Sequence, residues 1–102
     1  MTIHRRTYNI RPITVNKIKV IQVVIDPHFE KKHSASMSDQ LILNLVYELD
    51  GRLEVPEVKK GRYSYFATLI ELNKKQFRMI WLLEDHAIYI GVVNAYPDKR
   101  RK

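Results

Sequence analysis

The residues of this sequence that are best suited to chemistry are cations and phenols. The candidates are His33, Lys59, Lys60, Arg62, Tyr65, Arg78, Tyr96, Lys99 and Arg100. Cleavage of RNA by its own 2′-OH requires a base near that hydroxyl, cations beside the phosphate and an acid for the departing 5′-oxygen, but no metal. Arginine, lysine, tyrosine and histidine supply all of these groups, and aromatic rings stack on unpaired bases. The set therefore predicts a protein that binds or cleaves RNA.

Each candidate can be given a role in that reaction. Arg78 would stabilise the charge that grows on the phosphate oxygens. His33 is the first candidate for proton transfer because imidazole titrates near neutral pH, and Tyr96 is the alternative. The expected RNA-binding residues are Lys59, Lys60, Arg62, Tyr65, Lys99 and Arg100. Two structural interpretations compete with these roles. Arg78 could pair with Glu71 or Glu84, and His33 could be an exposed residue at the end of a helix.

Several classes of protein are excluded by what the sequence lacks. It has no glycine-rich phosphate loop, no H-E-x-x-H, no G-x-S-x-G and no calcium-binding loop. Its zero cysteines exclude a disulfide scaffold and a cysteine zinc site. We therefore expect no metal and no other cofactor. No apolar run approaches the ~20 residues that span a bilayer and no signal peptide is recognisable, so we expect a cytoplasmic protein with no membrane partner.

The 102 residues predict one domain, 1–102, whose net charge of +7 is concentrated at its two ends. Residues 1–12 carry a net charge of +3 and residues 97–102 another +3, which leaves +1 for the rest. We interpret 1–16 as a basic N-terminal arm or an extra strand, and 97–102 as a basic tail. Clustered cations favour a polyanion such as RNA, although they also serve solubility alone.

The first half of the chain predicts one strand and two helices. β-branched residues favour a strand over 17–25, and Asp26 before Pro27 favours a short basic helix from Pro27 to Lys32 or His33.

A second helix is predicted over 37–50 from an apolar stripe. The stripe consists of Leu41, Ile42, Leu45, Val46 and Leu49. Ser36 and Asp39 resemble a capping box before it, and Gly51 is a typical stop after it.

The second half predicts an antiparallel meander of three aromatic and β-branched strands. The strands are 63–72, 75–84 and 87–96. Two-residue connections, Asn73-Lys74 and Asp85-His86, favour tight hairpins. The predicted fold class is α+β, with two N-terminal helices packed on one face of a four- to five-stranded, mainly antiparallel sheet.

Hairpin pairing separates the side chains of the meander into two faces. An apolar face receives the helices and comprises Phe66, Thr68, Ile70, Leu72, Phe77, Met79, Trp81, Leu83, Ile88, Ile90, Val92, Asn94 and Tyr96. The opposite face mixes Arg78 with aromatic and aliphatic residues, including Tyr65, Ile80, Leu82 and Tyr89. A slip of one residue in the second turn would move Asn94 and Tyr96 to the face of Arg78.

The order of these elements resembles a family of small toxins. VVIDPHFEKKH precedes MSDQLILNLVYELDG, and FRMIWLLEDHAIYIGVVNAY leads to the basic C-terminus. Over residues 17–102 this order is similar to that of RelE/ParE-type toxins, within the wider fold of barnase-like and colicin-like RNase domains. Arg78 matches an arginine that these toxins often carry in that strand, and Tyr96 and Arg100 fall where a C-terminal Tyr or Arg often acts. The usual terminal histidine–arginine pair is absent.

This resemblance implies an mRNA endonuclease, acting on free or ribosome-bound mRNA and neutralised by a small antitoxin protein; the same fold also hosts gyrase poisons. We therefore predict the toxin of a toxin–antitoxin pair. The alternative is a non-catalytic, basic nucleic-acid-binding or immunity-type protein. An antitoxin is expected to cover the mixed face around Arg78, Ile80, Leu82 and Tyr89 unless residues 1–16 already do so.

Overall fold

A curled, six-stranded mixed sheet with one short helix accounts for the part of the chain that the computed structural model describes, residues 5–26 and 37–98. In chain order the elements are β1 (Arg6–Val15), β2 (Ile18–Ile25), α1 (Asp39–Tyr47), β3 (Val58–Lys60), β4 (Tyr63–Leu72), β5 (Lys75–Glu84) and β6 (Tyr89–Pro97). The strand order across the sheet is β1-β2-β6-β5-β4-β3. Neighbouring strands are antiparallel except β2 and β6, which run parallel.

The predicted fold class is wrong, because the sheet is larger than expected and the described residues contain one short helix. The described residues form one helix and six strands, and the sheet is mixed because β2 and β6 run parallel, whereas the prediction has two helices on four or five strands. The two additional strands, β1 and β3, lie at the two edges. β1 contains Pro12 within a break in its pairing with β2, and β3 has only three residues, so neither has a strong strand pattern. The other predicted helix, from Pro27 to Lys32 or His33, lies outside the described residues.

The same dipeptide, Asn-Lys, forms the turn of two hairpins. Asn16 and Lys17 connect β1 to β2 with φ of 52° and 64°, and Asn73 and Lys74 connect β4 to β5 with φ of 54° and 67°. Positive φ at both central residues is what a type I′ hairpin turn requires, and asparagine adopts it more readily than most residues. The second turn pairs Leu72 with Lys75, which is the predicted register.

Helix α1 corresponds to the predicted helix 37–50, but it begins later, at Asp39, and ends earlier, at Tyr47. Its N-cap is Ser38, whose Oγ accepts a hydrogen bond from the Leu41 N–H at 3.1 Å; the predicted cap, Ser36, lies outside the described residues. Gly51 has a φ of +84°, which glycine adopts without strain, and it donates its N–H to the Thr14 carbonyl. The chain therefore turns directly from α1 back to the first hairpin.

The edge strand β1 is fastened to the N-terminus of α1 by a carboxylate. Asp39 accepts hydrogen bonds from Arg6 Nε at 2.6 Å and Nη2 at 2.8 Å, and also from the Tyr8 hydroxyl. The hydrogen bonds from Arg6, more than any other contact, hold the pKa of Asp39 below its usual value. A carboxylate in the first turn of a helix is also favoured by the helix dipole. These contacts fix the position of β1 relative to α1.

Three side chains beneath α1, those of Trp81, Thr68 and Glu54, are joined by hydrogen bonds, and we call them the polar relay. The rings of Phe66 and Trp81 stack with centroids 4.1 Å apart. Trp81 Nε1 donates to Thr68 Oγ1 at 2.9 Å, and the Thr68 hydroxyl donates to Glu54 Oε1 at 2.9 Å. Thr68 therefore belongs on the apolar face because its hydroxyl satisfies the buried indole N–H.

Replacing Thr68 by valine is expected to lower the free energy of unfolding by about 1–3 kcal/mol, because the buried Trp81 N–H then has no partner. Urea unfolding followed by tryptophan fluorescence measures this loss. Thr68→Ser, which retains the hydroxyl and removes a methyl group, is the matched control and is expected to lose about 0.8 kcal/mol. A valine variant as stable as the wild type would show that the relay contributes nothing.

Candidate nucleic-acid interface

The sheet face opposite α1 is the mixed face of the sequence analysis, and no described helix or strand packs across it. We call it the open face. The described part of residues 1–16 does not cover it, because β1 lies at the sheet edge beside β2. Only Arg5, before β1, reaches a cavity on this face. The aliphatic side chains of the open face, among them Ile80 and Leu82, are half-buried by their neighbours in the sheet.

A β-bulge in β6 decides which side chains share the open face. Trp81 pairs with Val92, but the next pair is Ile80 with Asn94, so the register shifts by one residue. Because such a shift moves all following side chains to the other face, Asn94 and Tyr96 lie on the face of Arg78. Placing Asn94 and Tyr96 on the apolar face is therefore wrong, and the alternative of a one-residue slip gives the correct face. Ala95 fills the core instead and is fully buried.

The start of β6 also differs from the expected register. The prediction pairs Glu84 with Ala87, whereas Leu83 pairs with Ile90. The connection after Glu84 is longer than two residues, and Ile88 is 49% exposed rather than part of the apolar face. This offset of two residues leaves the two faces unchanged, because strand side chains alternate with a period of two.

Arg78 and Tyr96 are direct cross-strand neighbours on the open face. Side chains at such positions have Cβ atoms about 4.5–5.5 Å apart. Arg78 donates from Nε to Asp98 Oδ2 at 3.1 Å, so its partner is neither Glu71 nor Glu84. The Asp98 side chain is 5% exposed and that of Arg78 26%. The two Nη groups of Arg78 have no hydrogen-bond partner among the described residues, so they can bind an anion at the surface.

A cavity of about 300 Å³ lies on the open face near the start of β4 and β6. We call it the tyrosine pocket; it is lined by Arg5, Val24, Asp26, Tyr63, Tyr65, Leu82, Tyr89, Gly91, Val92 and Val93. Val24, Gly91, Leu82 and Tyr65 pair in turn across four strands and form a continuous row beneath it. A Cβ at Gly91 would come within 3.0 Å of Leu82 Cγ, so the absence of a side chain there makes room for Leu82.

Tyr89 is held in one orientation at this pocket. Its hydroxyl donates to Glu84 Oε1 at 2.7 Å. Burial, together with the hydrogen bond to Glu84, raises the pKa of Tyr89 to about 12. The phenol is therefore protonated at neutral pH and acts there as a hydrogen-bond donor rather than a base.

The predicted cations before β4 are mostly paired with carboxylates. Lys59 Nζ lies 3.2 Å from Asp85 Oδ1, and Arg62 Nη1 lies 3.3 Å from Glu84 Oε2. Exposed pairs of this kind contribute little stability and can exchange their carboxylate for a phosphate. Lys60 is exposed, and its Cα partner is Tyr63.

The structure thus brings together Arg78 with Tyr96, and Tyr65 with the tyrosine pocket. His33, Lys99 and Arg100 lie outside the described residues.

Among the lining residues that the predicted catalytic and RNA-binding set lacks are a cation, Arg5, and two phenols, Tyr63 and Tyr89. Strand alternation could have found Tyr63, because it shares a face with Tyr65 two residues later. Arg5 could not be found this way, since it reaches the pocket only through the pairing of β1 with β2 and of β2 with β6.

Within residues 5–26 and 37–98 no three His, Asp or Glu side chains are grouped as a metal site, and no helix is long and apolar enough to span a membrane. No protein-family model matches the chain, and neither a curated protein nor a solved structure matches it. The resemblance to RelE/ParE-type toxins therefore stays a prediction.

Proposed function

We propose that this protein is the toxin of a toxin–antitoxin pair and that it cleaves mRNA in the cytoplasm at the open face. The observation that supports this most is the placement of Arg78 beside Tyr96 by the bulge in β6. A guanidinium with unpaired Nη groups next to a phenol can bind a phosphate and stabilise its negative charge. The tyrosine pocket on the same face offers rings on which unpaired bases can stack.

The proposed reaction is an in-line attack within the RNA itself. The 2′-oxygen forms a bond to phosphorus while the bond from phosphorus to the 5′-oxygen breaks, which gives a 2′,3′-cyclic phosphate and a free 5′-OH. A base takes the proton of the 2′-OH, and an acid gives a proton to the 5′-oxygen. Arg78 stabilises the charge on the non-bridging oxygens, and His33 or Tyr96 transfers protons. No step in this scheme requires a metal.

The proposed antitoxin binds the open face. Two half-buried aliphatic side chains lie beside Arg78 there: Leu69, its cross-strand partner, and Ile80, two residues along β5; Leu82 lies further along the same strand. Arginine within an apolar patch is a frequent arrangement at the centre of protein interfaces. An antitoxin at this position would neutralise the toxin simply by covering the groups that bind RNA.

The test is RNA cleavage by the intact chain. Induced expression is expected to arrest growth, and purified protein is expected to cut single-stranded RNA equally well with and without EDTA. The products should end in 2′,3′-cyclic phosphates. Cleavage abolished by EDTA would contradict the metal-independent mechanism, and the absence of both arrest and cleavage would contradict a toxin.

A second candidate is a non-catalytic RNA-binding protein, and the carboxylate partners of the cations favour it. Arg78 is paired with buried Asp98, Arg62 with half-buried Glu84 and Lys59 with exposed Asp85. Such cations bind a phosphate backbone without chemistry. Binding of single-stranded RNA without cleavage or growth arrest is the outcome that selects this candidate.

A further inference from the structure

The tyrosine pocket has a volume and a composition suited to an aromatic ligand. Tyr63 and Tyr65 stand two residues apart on β4 and so share a face, while Tyr89 enters from β6. A volume of about 300 Å³ is at the lower end of the range of ligand pockets. Among the described residues neither Tyr63 nor Tyr65 has a hydrogen bond from its hydroxyl. Their phenols are therefore available to the polar edge of a base.

A cation completes this composition. Arg5 lines the pocket, is exposed, and has no ion pair within the described part of the chain. An aromatic slot with a guanidinium beside it fits a base whose backbone phosphate lies at the rim. Arg5 and Tyr89 line the same pocket, so the cation and the aromatic rings border one space.

The position of the pocket relative to Arg78 indicates the size of the ligand. Leu82, in the floor, and Arg78 lie four residues apart on β5, which is about 13 Å along an extended strand. A base in the pocket and a phosphate at Arg78 therefore belong to different nucleotides of one strand. This points to an oligonucleotide rather than a mononucleotide.

We propose that the tyrosine pocket is a base-binding subsite, which holds one unstacked base of single-stranded RNA while Arg5 binds an adjacent phosphate. This inference rests on the RNA-binding part of the proposed function and adds a place where the protein can select among bases. It does not require that the RNA is cleaved.

The experiment measures binding to RNA that cannot react. A 2′-O-methyl pentanucleotide lacks the attacking hydroxyl, and five further versions each lack one base. For the wild-type protein, one abasic version is expected to bind markedly more weakly than the complete oligonucleotide. Tyr65→Ala is expected to weaken binding of the complete oligonucleotide about 5- to 150-fold, which corresponds to the loss of one stacked base. Tyr65→Ala should bind the complete oligonucleotide and that abasic version with the same affinity, because the ring that contacts the missing base is gone.

Two further variants keep the result interpretable. Tyr65→Phe retains the ring and is expected to stay within about 2-fold of wild-type affinity, since stacking needs only the ring. Arg5→Ala, at an exposed position outside the sheet, is expected to reduce the slope of log K against log salt by about 0.7. It tests the phosphate contact even if Tyr65→Ala does not fold.

The inference is overturned if Tyr65→Ala and Arg5→Ala, both folded, bind the oligonucleotide as the wild type does. It is also overturned if uridine or adenosine monophosphate binds as tightly as the pentanucleotide. Failure of the cleavage assay together with this binding pattern would remove the nuclease but leave the subsite. Cleavage that continues while both variants bind normally would leave the nuclease and remove the subsite.

Discussion

Replacing Arg78 by alanine is expected to slow RNA cleavage about 10²- to 10³-fold, the usual effect of removing one donor that stabilises a developing negative charge. Arg78 is the described cation whose position beside Tyr96 carries the proposed function. Its Nη groups would contact phosphate oxygens that gain charge as the 2′-oxygen attacks. Single-turnover cleavage of a labelled oligonucleotide in EDTA measures the chemical step directly.

Because Arg78 also neutralises the buried carboxylate of Asp98, Arg78→Ala needs a control in which that carboxylate is removed as well. Removing the guanidinium leaves Asp98, whose side chain is 5% exposed, with a buried charge that has lost this pairing. Asp98→Asn reduces that cost, so the double variant Arg78→Ala/Asp98→Asn should fold better than Arg78→Ala. It should nevertheless cleave as slowly. If the double variant is folded by circular dichroism and cleaves within about 3-fold of the wild-type rate, Arg78 has no role in the chemical step.

The sequence predicts well those elements whose residue alternation and turn residues indicate the same structure. Strands 63–72 and 75–84 and the turn Asn73-Lys74 have the predicted bounds and register, because alternation and turn chemistry agree there. Asn16-Lys17 makes the same kind of turn, but the segment before it contains Pro12 and little alternation, so the sequence predicts only an arm or an extra strand over 1–16. The predicted fold class is wrong because β1 and the short β3 together extend the sheet to six strands and β2 pairs with β6 in parallel.

The site was only partly predictable because it depends on pairings between distant segments. Strand alternation places Tyr65, Arg78 and Tyr89 on one face, and the structure agrees. The position of Tyr96 depends on one additional residue in the bulge of β6, for which the sequence carries no local signal. The approach of Arg5 to the tyrosine pocket depends on the parallel pairing of β2 with β6, which joins segments more than sixty residues apart.

Truncating Leu45 to alanine is expected to lower the free energy of unfolding by about 2–5 kcal/mol, as for other buried leucines. Leu45 is fully buried and belongs to the same core cluster as Met79, Trp81 and Ile90, so the apolar stripe of α1 faces the sheet as predicted. Alanine leaves a cavity in this core, because the surrounding side chains relax only in part. Urea unfolding at constant pH measures the change.

The matched control for Leu45→Ala lies one residue away, on the solvent side of the same helix. Asn44 is exposed and accepts one hydrogen bond from Gln40, so Asn44→Ala should change stability by about 0.5 kcal/mol or less. Since α1 and the tyrosine pocket lie on opposite faces of the sheet, folded Leu45→Ala should retain wild-type affinity for the uncleavable oligonucleotide. A loss of stability below about 0.5 kcal/mol would place the stripe outside the core. A loss of affinity in the folded variant would place the RNA on the helix side, which contradicts binding at the open face.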